Sequence, residues 1–137
     1  MKKNEPMHKQ LAQLKEFHDK TDHEWRTDPT IDIPDNIKDR RVRIMLEEFN
    51  ELIAAIYRNE PIEDLAKELA DVVYTTFGTV GAFGLADKFD AVFDAVHKSN
   101  MSKIPVDGVI KFNEHGKVIK PPGYKKPDIK KILESNS

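Results

Sequence analysis

Apolar residues recur three or four positions apart along most of the chain up to about residue 100, the spacing that places side chains on one face of a helix. Leu11, Leu14 and Phe17 mark the first such segment. Pro61 begins the third and Gly84 ends it, as expected of residues that start and stop helices. The pattern predicts helices over about residues 9–21, 37–58, 61–83 and 86–99.

The periodicity changes beyond Pro105. Residues 109–112 and 117–120 flank the turn 113–116, and this arrangement predicts a small β-hairpin. The stretch that follows, Pro121–Asp128, contains three prolines, so we expect it to be extended and irregular. No internal repeat or long linker divides the chain. We therefore expect one domain over residues 1–137, with a helical core at about 9–100 and the hairpin and tail at about 104–137.

Two acidic clusters lie on consecutive predicted helices: Glu47, Glu48 and Glu51 on the second, and Glu68 and Asp71 on the third. Carboxylates three or four residues apart share one helix face, so each cluster can present oxygens to a common point. If the two helices pack antiparallel, the clusters form one pocket, and carboxylates that close must be neutralised by cations or protons. Oxygen ligands without Cys or a paired His favour Mg²⁺, Mn²⁺ or Ca²⁺ over Zn²⁺.

The surroundings of the acids decide between a site and an ordinary solvated surface. Exposed glutamates are common, so the glutamate triplet by itself fits a solvated helix face. Asp71 argues against that interpretation, because it is the only charge between Glu68 and Asp87, and a charge among apolar residues is costly to bury unless it is paired. Ile44 and Ala55 border the glutamates of the second helix. We therefore expect a partly enclosed carboxylate cluster.

Net charge favours no particular polyanionic partner. The 22 basic and 24 acidic side chains leave a formal charge of -2, which gives no reason to expect nucleic-acid binding. The charges are unevenly distributed, since the acids concentrate in the middle of the chain and the lysines crowd its C-terminal part. These lysines, which could lie beside a metal-bound anion, are Lys117, Lys120, Lys125, Lys126, Lys130 and Lys131.

The chain contains no cysteine, which excludes a disulfide scaffold, thiolate metal sites and a cysteine nucleophile. The longest uncharged run, residues 72–86, is shorter than the roughly 20 residues that span a membrane. We therefore predict a cytoplasmic protein without a membrane partner.

Signatures of several enzyme classes are missing, including a glycine-rich phosphate loop, a nucleophile elbow and a paired-histidine protease motif. An enzyme built on these acids would use water activated by a metal ion, and a glutamate that is not a ligand could accept the proton. Asp94 and His97 lie three apart on the fourth helix, which favours an ordinary surface pair over a catalytic role. Trp25 fits either a place in the core or stacking on a base.

The motif E-E-x-x-E, followed after sixteen residues by E-x-x-D, resembles the all-α nucleoside triphosphate pyrophosphohydrolases, which include MazG-like proteins, dimeric dUTPases and phosphoribosyl-ATP pyrophosphohydrolase. The similarity covers most of the chain, through Phe17-His18, Arg43–Leu52, Glu68–Tyr74, Gly78-Thr79 with Phe83-Gly84, His97–Lys103 and Gly116–Tyr124. These segments resemble one bacterial and phage subgroup, whose members are often labelled Cof-like phosphohydrolases. The chain has no D-x-D-G-T segment to supply a phosphorylated aspartate, which argues against that label.

The resemblance implies an all-α bundle of four to five helices and Mg²⁺-dependent hydrolysis, with Mn²⁺ as a substitute. Water would attack a nucleoside or deoxynucleoside triphosphate and release the monophosphate and pyrophosphate. Carried over by matching motif, the metal ligands would be Glu48, Glu51, Glu68 and Asp71, and Glu47 would be a further ligand or the general base. The substrate-binding residues would be Asn100, Lys103, Lys120 and Tyr124. The resemblance also implies a homodimer or homotetramer.

Two other functions stay open from the sequence. Phosphoribosyl-ATP hydrolysis uses the same set of acids, although the predicted hairpin and tail fit it less well. A helical oligomer that binds a nucleotide or a metal without turnover would use the acids for structure alone. The preferred base and sugar, the number of metal ions and the roles of Trp25 and the C-terminal lysines are not determined by these patterns.

Overall fold

The computed structural model describes residues 6–135, with side chains from residue 9 onward. These residues form an all-α fold without a β-strand, as predicted. The helices are α1 (Pro6–Thr21), α2 (Asp35–Tyr57), α3 (Ile62–Ala82), α4 (Phe89–Met101) and α5 (Ile129–Glu134). Within this part of the chain no single helix is long and apolar enough to cross a bilayer, although α3 joined across its break to residues 86–101 meets the length and composition test.

The predicted helix bounds agree with the structure for α1 to α3 to within a few residues. The fourth predicted helix is divided into a short 3₁₀ turn, Ala86–Lys88, and α4. The tail contains a helix that the sequence analysis missed, α5, directly after the segment that we expected to be irregular. Asp128 caps it by accepting a hydrogen bond of 3.2 Å from the backbone of Lys131. Proline followed by an aspartate cap was the signal for this helix.

The chain falls into two compact units, Met1–Asp87 and Lys88–Ser137. The first contains α1, α2 and α3, and the second contains α4 and α5. The expectation of one domain over 1–137 stays a prediction.

In the first unit, α3 is the central element and packs against both α1 and α2. Its C-terminal half is closely surrounded: Phe77, Val80 and Ala82 are buried there. The buried apolar side chains of this unit are Leu11, Leu14, Ile33, Ile37, Leu52, Ala55, Phe77, Val80 and Ala82. The N-terminal half of α3, which carries Glu68 and Asp71, lies outside this core.

The connection between α1 and α2 lies along the C-terminal end of α3. Arg26 and Thr30 donate backbone hydrogen bonds of 2.8 Å and 3.0 Å to the carbonyls of Gly81 and Phe83. A Cβ atom on Gly81 would overlap the ring of Trp25, so glycine lets the indole lie directly on α3. Trp25 therefore packs on the C-terminal end of α3. Of the two roles expected for it, a place in the core and stacking on a base, this contact supports the first.

Several apolar residues of α2 lie on the surface of the first unit. The helical period places five apolar residues on one face of α2. Of these, Leu52 is buried, Met45 is half-buried, and Phe49, Ile53 and Ile56 are exposed. Most of this face therefore has no cover within the first unit. The helical period reports which residues share a face and does not report what covers that face.

In the second unit, α4 contacts α5. Lys88, at the start of α4, donates hydrogen bonds from Nζ to the carbonyl oxygens of Ile132, at 3.3 Å, and Ser135. The backbone of Lys125 donates a bond of 2.9 Å to Oγ of Ser102, so the tail is attached to the end of α4.

The predicted hairpin is reduced to one isolated antiparallel bridge between Phe112 and Val118. Asn113 and Ile119 donate backbone bonds of 2.8 Å to the carbonyls of Lys117 and Lys111, so the chain does reverse direction at the predicted turn. Regular strands do not form, because a two-stranded ribbon without a third strand or a covering helix is marginally stable in water. Its apolar side chains are mostly exposed, as in the case of Phe112.

Candidate metal centre

Three of the predicted metal ligands lie together in the first unit. Glu48 on α2 and Glu68 and Asp71 on α3 each offer a carboxylate oxygen, and these three oxygens lie within 4.8 Å of one another. All three side chains are partly shielded from solvent. The antiparallel packing of α2 and α3 thus joins the two acidic motifs at one point.

The other two glutamates of α2 lie outside this group of three. Glu51 is exposed, one helical turn from Glu48, and its negative charge still acts on Glu48. Glu47 is exposed next to Glu48 in the sequence. The cluster therefore has three convergent carboxylates, with Glu51 as the nearest further donor on the same helix.

The pKa of Glu48 is raised by burial and by its position among the other acids. Burial raises the pKa of the Glu48 carboxyl above its usual range, and the neighbouring charges of Glu51 and Asp71 raise that pKa further. Desolvation and like charges both disfavour the ionised form. A cation placed among these oxygens would relieve both effects.

Lys67 already supplies one positive charge at the edge of the cluster. Its Nζ lies 2.8 Å from Oδ2 of Asp71, one helical turn away on α3. The pKa of Lys67 is raised by the hydrogen bond to Asp71, and then by the charges of Asp71 and Glu68. Lys67 is largely exposed, so this ion pair is weakened by solvent and balances only part of the negative charge.

One oxygen of Glu68 is available to a cation bound at the cluster. Among the described residues, Oε1 of Glu68 is buried and accepts no hydrogen bond. A buried carboxylate oxygen without a partner is unfavourable, whereas a hard divalent cation takes such oxygens as ligands. The donor set is all oxygen, as Mg²⁺ and Mn²⁺ prefer. The residues present therefore fit a hard divalent cation held by Glu48, Glu68 and Asp71.

An apolar groove adjoins the carboxylates, since Phe49 follows Glu48 in α2 and Val72 follows Asp71 in α3. Its cavity measures about 370 Å³. The groove is lined from α2 by Val42, Met45, Leu46 and Phe49, and from α3 by Val72, Thr75 and Thr76. Val42, Leu46 and Phe49 are 58%, 55% and 50% exposed, so this wall is open.

Two polar residues that were not predicted from the sequence, His18 and Arg41, are buried in the first unit. They are 3% and 4% exposed. Nδ1 of His18 lies 2.8 Å from the carbonyl oxygen of Glu24, which can only accept, so Nδ1 carries the proton. The indication in the sequence was Gly78 in a helix interior, because its missing Cβ leaves room for both side chains.

Three of the four predicted substrate-binding residues lie close together in the second unit: Lys103, Lys120 and Tyr124. Nζ of Lys120 lies over the ring of Tyr124, 5.0 Å from its centroid. A hydrogen bond from Ser99 lowers the pKa of the Tyr124 hydroxyl, and the charges of Lys120, Lys103 and Lys126 lower it further. Asn100 is exposed on α4, next to Ser99. The lysine group around Tyr124, which we call the lysine cluster (Lys103, Lys120 and Lys126), is an electropositive surface suited to an anion.

The predicted surface pair of Asp94 and His97 is wrong in its partner. Asp94 instead forms an ion pair of 3.1 Å with Lys98, and His97 is exposed. The spacing of four residues that Lys98 offers is as favourable on a helix as the spacing of three. No catalytic role for His97 follows.

Comparison with known protein families gives a match over most of the helical part of the chain. A model of the family described as phosphoribosyl-ATP pyrophosphohydrolase matches residues 14–100. That range contains both acidic motifs and ends at Asn100, before the first residue of the lysine cluster. No curated protein matches the chain in a sequence search.

Proposed function

The chain belongs to the phosphoribosyl-ATP pyrophosphohydrolase family, within the MazG-like all-α NTP pyrophosphohydrolase superfamily, and from that premise we propose that it hydrolyses nucleoside triphosphates to monophosphates and pyrophosphate with Mg²⁺ or Mn²⁺. Family membership supports the coarser activity, a pyrophosphohydrolase acting on an acid anhydride. The convergence of Glu48, Glu68 and Asp71 within 4.8 Å is the observation that carries the finer proposal.

The carboxylates have separate roles in this proposal. Glu48, Glu68 and Asp71 hold the cation, and Glu51 joins them from one turn away on α2. When bound, the cation supplies activation of water and neutralisation of charge on the phosphates. Glu47, which is exposed beside this group, acts as the general base or as a further ligand.

The lysine cluster and Tyr124 suit the anionic part of the substrate. Ammonium groups bind phosphate oxygens as point charges, and the hydroxyl of Tyr124 is held by Ser99. We assign Lys103, Lys120 and Tyr124 to phosphate binding and Asn100 to phosphate or sugar. This assignment rests on the family resemblance and on the electropositive surroundings of Tyr124.

The test is a panel of canonical and modified nucleoside and deoxynucleoside triphosphates, assayed with Mg²⁺ for monophosphate and pyrophosphate. We expect Glu48→Gln and Asp71→Asn to lower activity by about 100-fold or more. Glu63→Gln, an exposed change in the first turn of α3, is the control and should retain activity. Release of orthophosphate, or full activity in both site variants, contradicts the mechanism. Tight nucleotide binding without product identifies a non-catalytic binding protein instead.

Phosphoribosyl-ATP is the second candidate substrate, favoured by the description of the matching family. The same carboxylates would serve it, since the bond that breaks is again a phosphoric anhydride. A competition between phosphoribosyl-ATP and the triphosphates separates the two. Turnover of phosphoribosyl-ATP in preference to every triphosphate decides for it.

We also propose that the protein is a homodimer or homotetramer in the cytoplasm. Support comes from the exposed apolar residues of α2, since exposed apolar patches of this kind commonly mark association surfaces. Light scattering measures the mass directly. A monomer at all concentrations contradicts the proposal, and Leu46→Glu should lower the mass if α2 lies in the interface.

A further inference from the structure

Arg41 is a buried cation without an acidic partner among the described residues. Its guanidinium donates from Nε to Oγ1 of Thr79 at 3.1 Å and from Nη2 to the carbonyl oxygen of Thr75 at 3.0 Å. Both acceptors are on α3, whereas Arg41 is on α2. One side chain therefore makes two directed bonds across the contact between these helices.

Thr79 can accept the bond from Arg41, because its own hydroxyl hydrogen is directed elsewhere. Oγ1 of Thr79 donates its hydrogen to the carbonyl of Thr75 at 3.0 Å, so its lone pairs are free to accept from Arg41. A Cβ on Gly78 would lie 2.6 Å from Nη2 of Arg41 and 2.7 Å from Nε2 of His18. Side chains from α1 and α2 thus meet at Gly78, a position of α3 that has no side chain.

These bonds form close to the carboxylates. Thr75 follows Asp71 by four residues, about one turn or 6 Å along α3. Arg41 precedes Glu48 by seven residues, about two turns or 10 Å along α2, and so lies on the same helix face. A shift of α3 against α2 would break the bonds of Arg41 and would separate Glu48 from Asp71.

Stability alone is a poor reason for this arrangement. Burying a guanidinium is unfavourable, and an apolar side chain of similar volume often stabilises a protein equally well. Burial lowers the pKa of Arg41, and the charge of Arg40 lowers it further, which shows that the site disfavours the cation. Directed bonds to two acceptors, by contrast, determine the register of two helices.

We propose that Arg41 is a positioning residue: its paired bonds to Thr75 and Thr79 hold α3 in the register that brings Glu48, Glu68 and Asp71 together. This inference rests on the proposed metal role of those carboxylates. Metal sites require ligands held to within about 0.5 Å, so a modest loss of register is expected to weaken binding strongly.

A role of Arg41 through its charge and a role through its position predict opposite changes in the affinity for a divalent cation. If the residue acted through its charge, Arg41→Met would strengthen binding of a divalent cation, because like charges repel. If it acts through position, Arg41→Met weakens binding. Arg41→Lys separates the two further, because it keeps the charge and loses the forked pair of bonds.

The experiment measures Mn²⁺ affinity by calorimetry for the full chain, well below each variant's unfolding midpoint. We expect both Arg41→Met and Arg41→Lys to bind Mn²⁺ about 10- to 100-fold more weakly than the wild type. Leu14→Ala, a cavity change in the buried face of α1, is the control for lost stability and should retain affinity. Should Arg41→Met fail to fold, Thr79→Val removes one acceptor and carries the test, with a weakening of about 3- to 10-fold.

The outcomes separate this inference from the proposed function. Wild-type protein that does not bind Mn²⁺ overturns the metal role, and the positioning role with it. Binding by the wild type with unchanged affinity in the Arg41 and Thr79 variants overturns the positioning role alone. Equal weakening in Leu14→Ala also overturns it, since the effect would then follow stability.

Discussion

Lys67 donates a hydrogen bond of 2.8 Å from Nζ to Oδ2 of Asp71, so one carboxylate of the proposed metal cluster is already paired with an ammonium group. A divalent cation at the cluster is repelled by this ammonium group, and it competes with Lys67 for the negative charge of Asp71. The positive charge of Lys67 therefore opposes binding of a divalent cation at the cluster.

The first prediction concerns that competition. Lys67→Met should bind Mn²⁺ more tightly than the wild type, by about 3- to 10-fold at low ionic strength, because repulsion and competition are removed. The difference should shrink in high salt, since Lys67 is exposed. Lys15→Met is the matched control, because Lys15 forms the same kind of pair with Asp19 on α1, at 2.8 Å. Unchanged affinity in Lys67→Met would contradict the competition between Lys67 and the cation.

The second prediction concerns stability without metal. The pKa of Glu48 is raised in the folded protein, first by burial and then by Glu51 and Asp71, so the folded state favours the protonated carboxyl. Stability is full below the unfolded pKa and is lost as the pH rises through the folded pKa. Glu48→Gln should therefore raise the unfolding temperature of the metal-free protein at pH 7, by on the order of 1–3 °C.

Thermal scans at pH 4 and pH 7, with a chelator present, measure this effect. The gain from Glu48→Gln should be larger at pH 7 than at pH 4, while Glu63→Gln should change neither. With Mn²⁺ the order should reverse, because the wild type alone is then stabilised by the ligand. A wild type that exceeds Glu48→Gln in stability at pH 7 without metal contradicts the assignment.

The third prediction concerns acid sensitivity at His18. Burial lowers the pKa of this imidazole, the backbone bond to Glu24 opposes that, and the charges of Arg41, His23 and Arg40 lower it again. A lowered folded pKa gives stability that is full above the unfolded value of about 6.5 and is lost as the pH falls through the folded pKa.

Denaturant unfolding between pH 7.5 and pH 5 tests the prediction for His18. His18→Gln keeps a donor for the Glu24 carbonyl and should flatten the fall in stability below pH 6.5. A residual slope is expected from His23, whose pKa burial also lowers. His115→Gln, an exposed change, should leave the slope as in the wild type. An unaltered slope in His18→Gln would refute the buried neutral imidazole.

The fourth prediction concerns Gly78. Replacing a helix glycine by alanine ordinarily stabilises a protein, because alanine is the better helix former. At this position the new Cβ would crowd Arg41 and His18, so Gly78→Ala should lower the free energy of unfolding by about 1–3 kcal/mol. Gly123→Ala meets no atom within 4 Å and should be near neutral. Stabilisation by Gly78→Ala would contradict the close approach of the three helices.

The fifth prediction concerns the lysine cluster. The pKa of the Tyr124 hydroxyl is lowered by the bond from Ser99 and by the neighbouring lysines, so Lys120→Met should raise it. Ultraviolet titration of tyrosinate, corrected with Tyr124→Phe for the other two tyrosines, measures the shift. Lys111→Met is the control, since Lys111 is not among the groups that act on Tyr124. Equal titration curves for Lys120→Met and the wild type would contradict the cluster.

Much of the fold was predictable from local pattern. Helical spacing located α1, α2 and α3 to within a few residues, because a helix face is determined by residues three and four apart. The same spacing paired Glu68 with Asp71 and grouped Glu48 with its neighbouring glutamates, so the amino-acid sequence by itself was enough to recognise both acidic motifs. The short α5 was missed, since six residues give too little periodic signal.

The tertiary structure decided which of the acids converge and what surrounds them. Spacing treats Glu47, Glu48 and Glu51 as near equivalents, yet the packing of α2 on α3 brings the carboxylate of Glu48 alone of these three to the oxygens of Glu68 and Asp71. The burial of Arg41 could not be predicted from the sequence either, because its hydrogen-bond acceptors lie 34 and 38 residues away along the chain. Local sequence determines the face on which a side chain lies, and only the packing between helices determines what that face meets.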